Sequence, residues 1–224
     1  MTLLARGYAA VTAFLAALEG LVADRRAPPG DPEVDVLTRL IQGEVEGEQL
    51  TALELLHDCI FLLNAGHETT TNLIGNGVHA LLSQRGEYER LQREPTLLGS
   101  TIEELLRFES PLQLNNRLTI APLTLGGRDI EPGTFLTLAI GAANRDPARF
   151  SDPDRLDIAR KPNLHLAFGH GAHACAAMNV ARLDARIAIG ALTRRFPQSA
   201  LDGEPKRDLR LRFRGFRRLP IRTR

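Results

Sequence analysis

Phe168-Gly169-His170-Gly171-Ala172-His173-Ala174-Cys175 is the stretch of this 224-residue chain in which residue type and spacing restrict the chemistry most narrowly. An aromatic ring precedes a thiol by seven residues, two glycines can take positive φ, a His stands two residues before the thiol, and a helical pattern follows. Such a loop is built to present a thiolate. A second stretch, Ala65-Gly66-His67-Glu68-Thr69-Thr70, lies in the middle of a long helical pattern, where Gly costs about 1 kcal/mol relative to Ala and successive β-branched threonines cost more. Small side chains at Ala65 and Gly66 would let a flat cofactor and a diatomic ligand approach the backbone, while Glu68 and Thr69 would set an acid and a hydroxyl beside that gap. Glu104-Leu105-Leu106-Arg107 places a carboxylate and a guanidinium at i and i+3 on one helical face.

Composition narrows the function classes. The chain has 43% hydrophobic and 25% charged residues and a net charge of +1, which argues against disorder and against a globally nucleic-acid-binding surface. Arg207, Arg210, Arg212, Arg214, Arg217, Arg218, Arg222 and Arg224 are basic, but most alternate with apolar residues as an edge hairpin would, so no nucleic acid is expected as a partner. Two cysteines without metal-type spacing leave no disulfide scaffold or zinc module, and Cys59 reads as a small hydrophobe on a buried helix. Cys59-Ile60-Phe61-Leu62-Leu63, taken as the most apolar run, falls far short of the roughly 20 residues of a spanning helix. The N-terminus lacks a basic region, apolar block and small-residue cleavage site. No membrane is expected, and the expected location is cytoplasmic.

The elements that must carry these residues are mainly helical. Tyr8, Val11, Leu15, Leu18 and Val22 share one helical face ending near Arg25-Arg26. A short helix follows, with Asp31 as cap and Pro32 at its first position, and then a polar loop over 43–49. Thr51-Ala52-Leu53-Glu54 has capping-box spacing and opens a helix over 51–84 that is apolar on more than one side, as a core helix is. A helix over 96–108 stops at Ser110-Pro111, a small sheet of short strands covers 117–140, and an irregular stretch over 144–168 leads to the loop at 168–175. A helix over 176–196 and a closing hairpin over 209–221 complete the chain.

The loop before Cys175 resembles the heme-binding loop of the cytochrome P450 superfamily, the heme-thiolate monooxygenases, and the stretch at 65–70 resembles the oxygen-activation motif of the same family. Glu104-Leu105-Leu106-Arg107 is similar to the family's Glu-x-x-Arg pair, and Pro153-Asp154-Arg155 to its later Pro-x-Arg segment. The resemblance therefore implies a structural network of Glu104, Arg107 and Arg155. It also implies heme b with Cys175 as iron ligand and dioxygen as co-substrate. Arg117 and His173 would face the heme propionates, Phe168, Gly169, Ala65 and Gly66 would border the cofactor, and Glu68 and Thr69 would support proton delivery. His165-Leu166-Ala167-Phe168 and Asn144-Arg145-Asp146-Pro147 also fit the family's order. Ala177 stands where the family usually has Gly, and Leu156 where its Pro-x-Arg segment ends in an aromatic.

Members of the family are longer, and the resemblance begins near their midpoint. The implied fold class is mainly α with a small β-sheet, the C-terminal half of the cytochrome P450 fold, as one partial domain over 1–224. The implied activity inserts one oxygen atom of dioxygen into a small organic substrate. Electrons come from a redox partner, since no Gly-rich dinucleotide fingerprint or cluster-type Cys set is present. A ferredoxin is the expected type, with Arg182, Arg186, Arg194 and Arg195 as basic residues suited to it. A polypeptide supplying the missing N-terminal half is a further expected partner. The competing readings are a non-catalytic relative acting as an auxiliary or activating subunit, and a truncated gene product.

Overall fold

The structure, a computed structural model, describes residues 2–45 and 48–223. By compactness the chain divides into two units, Met1–Ala65 and Gly66–Arg224. Each has its own apolar cluster.

In the first unit, α1 (Leu3–Arg26) starts at Thr2, whose Oγ1 accepts the Ala5 N–H at 3.3 Å. Only the later part of its apolar face is covered. Leu18 and Val22 are buried with Leu55, Leu56 and Cys59, whereas Tyr8 is 76% exposed. Burial, aided by the charge of Asp58, pushes the Cys59 thiol up, which suits an inert core residue. By length and composition Leu4–Arg26 is apolar enough to cross a membrane, and 11% of its apolar window is buried. Its Ala, Leu and Val residues are spread along the helix rather than gathered in one run, so the sequence reading passes over it in favour of the run at 59–63.

The next helix, α2 (Val36–Gln42), is capped by Asp35 instead of Asp31. Asp35 accepts the Leu37 N–H at 3.2 Å, while Asp31 accepts the Glu33 N–H at 2.9 Å and closes only a turn. The stretch read as a loop over 43–49 contains the antiparallel pair β1 (Glu44–Val45) and β2 (Glu48–Gln49), with residues 46 and 47 outside the described ones. After it comes α3 (Ala52–Ser83), opened by a reciprocal cap. Thr51 Oγ1 accepts the Glu54 N–H at 3.2 Å and Glu54 Oε2 accepts the Thr51 N–H at 2.9 Å.

The second unit packs the later part of α3 with α4 (Arg85–Arg93), α5 (Leu98–Phe108) and, further on, a long helix after Cys175. The sequence reading has no element where α4 lies, because its residues are mostly charged and only Tyr88 and Leu91 are buried. Leu81, Tyr88, Ile102, Leu105, Ile158 and Ile189 are all fully buried together. A Cβ on Gly77 would come within 2.8 Å of Leu105 Cδ1 and 3.0 Å of Ile189 Cδ1, so these side chains lie directly on the α3 backbone.

The expected single sheet is two separate ladders. The strands are β3 (Leu114–Leu118), β4 (Leu123–Leu125), β5 (Arg128–Ile130) and β6 (Phe135–Ala139). β3 pairs antiparallel with β6, Leu114 opposite Ala139. β4 pairs with β5 across Gly126 and Gly127, whose positive φ values of 58° and 75° make the tight turn. One turn of helix, α6 (Ile140–Ala143), leads into the irregular stretch, and α7 (Met178–Arg195) follows Cys175. The tail forms nested pairs from β7 (Ala200–Leu201), β8 (Lys206–Arg207), β9 (Phe216–Arg218) and β10 (Ile221–Arg222). In these β7 pairs with β10 and β8 with β9. Arg224 lies outside the described residues.

Candidate functional site

The loop that presents Cys175 is shaped by its backbone. Gly169 and Gly171 take φ of 73° and 80°, values that favour glycine, and a 3-10 turn at Gly171–His173 completes the bend. The Gly169 N–H donates to the Leu166 carbonyl at 2.9 Å, the Ala174 N–H to Gly171 at 3.0 Å, and the Cys175 N–H to Phe168 at 2.9 Å. The thiol is thus fixed through the carbonyl of the aromatic residue seven positions earlier. Cys175 is half-buried and α7 begins at Met178, two residues later than the sequence suggests. His173 is exposed at the end of the 3-10 turn, and Ala177 is exposed at the N-cap of α7.

On α3, Gly66 is exposed, and a Cβ there would meet nothing within 4 Å. Thr69 is half-buried. The Glu68 carboxylate accepts a hydrogen bond from Arg210, whose guanidinium also reaches Asp208 Oδ2 at 2.9 Å. The Arg210 partner is one that sequence reasoning missed, since it comes from the tail. Ala65 is the last residue of the first unit and is exposed. Arg117 is half-buried on β3 and its Nη1 donates to the Asn116 carbonyl at 2.8 Å. Among the described residues no hydrogen bond joins Arg117 to the Cys175 loop.

Glu104 and Arg107 are fully buried and paired, Nε to Oε2 and Nη2 to Oε1, each at 2.8 Å. The expected third member is corrected: the Arg155 side chain is exposed, and Arg160 supplies the second guanidinium, with Nε 3.1 Å from both Glu104 oxygens. The reason is the turn at 152–155, where Asp152 takes a φ of 46° and the Arg155 N–H donates to the Asp152 carbonyl at 3.0 Å. That turn sends the Arg155 side chain to solvent and its carbonyl inward, where it accepts from Arg107 and Arg160.

A second group of charges was not anticipated. Glu103, next to Glu104, accepts from Arg182 Nε at 2.7 Å and Nη2 at 2.9 Å, and lies 3.1 Å from His165 Nε2. Burial raises the Glu103 carboxyl, but the hydrogen bonds from His165 and Arg182 outweigh it and bring it down to about 2. Arg182 is therefore an internal partner more than a free surface cation, whereas Arg186, Arg194 and Arg195 are exposed. The only local signal was the adjacent pair of glutamates, which says nothing of a partner nearly eighty positions away.

The second unit thus defines a helical scaffold that presents one half-buried thiol from a glycine-shaped loop. The chain belongs to the cytochrome P450 family, whose model matches residues 2–220. It is 45% identical over 210 residues to cytochrome P450 107B1 of Saccharopolyspora erythraea, covering 92% of this chain and 51% of that one. It is 40% identical to the vitamin D(3) 25-hydroxylase of Pseudonocardia autotrophica, covering 91% and 51%. The solved structure of CYP109E1 from Bacillus megaterium in complex with corticosterone superposes with a TM-score of 0.93 at 37% identity, over 100% of this chain and 61% of that one. The chain therefore spans about half the length of the curated relatives it matches.

Family membership implies a heme iron cofactor, and the donor set fits it. A half-buried thiol on a loop fixed by its own backbone is a donor of the kind that heme iron takes.

Two outcomes follow from the buried charges. Arg160→Ala, which leaves Glu104 short of a cation, should destabilise the chain by about 3–5 kcal/mol, whereas Arg155→Ala should change stability by no more than about 0.5 kcal/mol; urea unfolding of both variants checks this. Because Glu103 is held below its ordinary 4.5, its stabilisation is complete above that value and is lost as pH falls toward about 2. Glu103→Gln should flatten the fall of unfolding free energy across that window, measured by urea titration at several pH values.

Proposed function

We propose that this chain is the thiolate-bearing part of a cytochrome P450 monooxygenase that inserts one atom of dioxygen into a small organic substrate. The observation that carries the reading is the loop in which two left-handed glycines and the Phe168 carbonyl fix Cys175. Bound heme supplies the oxygen-activating chemistry, with a thiolate ligand pushing electron density toward O–O cleavage.

The residues of this chain do the rest. Cys175 would hold the heme iron through its sulfur, and Arg117 and His173 are donors that would suit the propionate carboxylates. Phe168 and Gly169 shape the loop beside the cofactor, and the missing side chain of Gly66 leaves the helix backbone approachable. The cofactor role of Ala65 rests on the resemblance alone. Glu68 and Thr69 are the acid and alcohol that would pass protons. The Glu68 carboxylate is engaged by Arg210 from the tail.

Electrons come from a redox partner in this reading, of the ferredoxin type, and Arg186, Arg194 and Arg195 remain exposed for an acidic surface. The substrate pocket also needs segments that the relatives have outside the matched half, whether on this polypeptide or another. Closing that pocket would exclude water and orient the substrate.

Wild-type protein loaded with hemin, reduced and exposed to carbon monoxide should show the red-shifted Soret band of thiolate ligation, and Cys175→Ala should lose it. Indistinguishable spectra would refute the ligand assignment. In a system reconstituted with ferredoxin and reductase, Thr69→Ala should divert electrons into peroxide and lower product per electron by about tenfold or more. An unchanged yield per electron would remove Thr69 from proton delivery.

A further inference from the structure

We propose that Glu103 is the positioning residue of the thiolate loop, tying the segment before the loop and the helix after it to α5 through His165 and Arg182. The proposal rests on the heme-thiolate reading of Cys175 and adds what holds that loop in shape. Glu103 accepts the two-pronged hydrogen bond of Arg182, at 2.7 and 2.9 Å, which fixes the guanidinium plane as well as its position. Its Oε2 also faces His165 Nε2 at 3.1 Å. The other ring nitrogen, Nδ1, accepts the Ala167 N–H at 3.2 Å. In the neutral ring the proton therefore sits on Nε2 and is donated to Glu103.

Both arms end at the loop. Ala167 is bonded to His165 just before Phe168, so the His165 ring orders the loop's entry. The Arg182 guanidinium lies 4.7 Å over the Phe168 ring, and the His165 ring centre is 6.0 Å from it. Phe168 in turn gives its carbonyl to the Cys175 N–H. One carboxylate thus fixes the cation above the ring, the ring fixes its own carbonyl, and that carbonyl fixes the amide of the residue bearing the thiol. The His165 side chain is only 3% exposed, which separates this arrangement from a solvated surface pair between two helices. The hydrogen bond to Glu103 also raises the Arg182 pKa, as a closely held ion pair does.

The test is hydrogen exchange of the heme-free chain at the Gly169, Ala174 and Cys175 amides, the bonded amides of the loop. Glu103→Ala should speed exchange at these amides by about tenfold or more beyond any acceleration in α5 and α7. Glu103→Asp, with its carboxylate one methylene short, should recover part of the protection, and Arg182→Gln should speed the same amides. Unchanged loop exchange in Glu103→Ala overturns the proposal. So does uniform acceleration through the second unit, which would make Glu103 general scaffold. Should Glu103→Ala fail to fold, Glu103→Asp and Arg182→Gln decide by the same criterion: acceleration at the loop beyond that in α5 and α7 supports the proposal, and uniform or absent acceleration overturns it. Hemin loading of wild type and Cys175→Ala, run alongside, keeps the two ideas apart. Loss of the thiolate band from wild type sinks the ligand reading, while the exchange pattern still decides the positioning role.

Discussion

The buried carboxylate of Glu104 is the constraint on which the thiol-bearing half of the second unit depends. Taking a carboxylate and a guanidinium fully out of water costs several kcal/mol per ion, and the fold offsets this only by leaving almost no lone pair or proton unused. Glu104 accepts from Arg107, Arg160, the Asp157 N–H and Asn163 Nδ2. Arg107 spends its remaining donors on the carbonyls of Asn144, Pro153 and Arg155, and Arg160 on those of Ser151, Asp152 and Arg155. The stretch from 144 to 168 has no helix or strand to satisfy its backbone, so two guanidiniums do that work in place of a ladder. Removing a member therefore exposes more than one broken ion pair, because the carbonyls it served lose their donors too.

A second polar knot does for the tail what the first does for the irregular stretch. Asn76 on α3 is buried and donates to the carbonyls of Glu109 and Arg214, while Arg207 reaches both Asn76 Oδ1 at 3.1 Å and Glu109 Oε2 at 3.3 Å. Arg214 also pairs with Glu109, and Arg207 lies 3.9 Å over the Phe216 ring. Burial, followed by the charge of Arg207, pushes the neighbouring His79 below its ordinary value, so this knot takes no further cation from the imidazole at neutral pH. With β8 and β9 anchored at both ends, the turn between them is held against α3, which is how Arg210 comes to Glu68. A carboxylate in the middle of α3 is thereby joined to an element far along the chain.

Between the knots, the thiol loop itself uses very little side-chain chemistry. Its bends come from two positive-φ glycines and its closure from three backbone hydrogen bonds, so its shape is cheap to specify and its outer surface stays exposed. What backbone bonds alone do not supply is resistance to local opening, since a short loop with exposed hydrogen bonds lies at the low-stability end of a structure. The Glu103, His165 and Arg182 group stands beside this weak point, braced by the same helix that carries Glu104.

Which parts of this were legible in the sequence follows from how far each signal reaches. The Thr51 and Glu54 cap is written in residues three apart and needs no tertiary information, and the same holds for the spacing of Phe168, Gly169, Gly171 and Cys175 and for the pairing of Glu104 with Arg107. Where two candidates of one residue type stand close together, local pattern fails. Asp31 and Asp35 are equally good caps by type, and Asp35 serves because its carboxylate also meets the Thr38 hydroxyl at 2.5 Å and Arg25 at 2.9 Å. Arg155 and Arg160 are equally good cations, and a single turn with a positive-φ Asp152 decides which of them enters the core. The Arg residues of the tail read as an edge hairpin, yet Arg207, Arg210 and Arg214 meet Glu109 and Glu68, carboxylates roughly a hundred positions or more away. The family resemblance therefore implies that the Glu104 and Arg107 pair has a second guanidinium, but the choice among neighbouring arginines belongs to backbone turns whose direction no periodicity records.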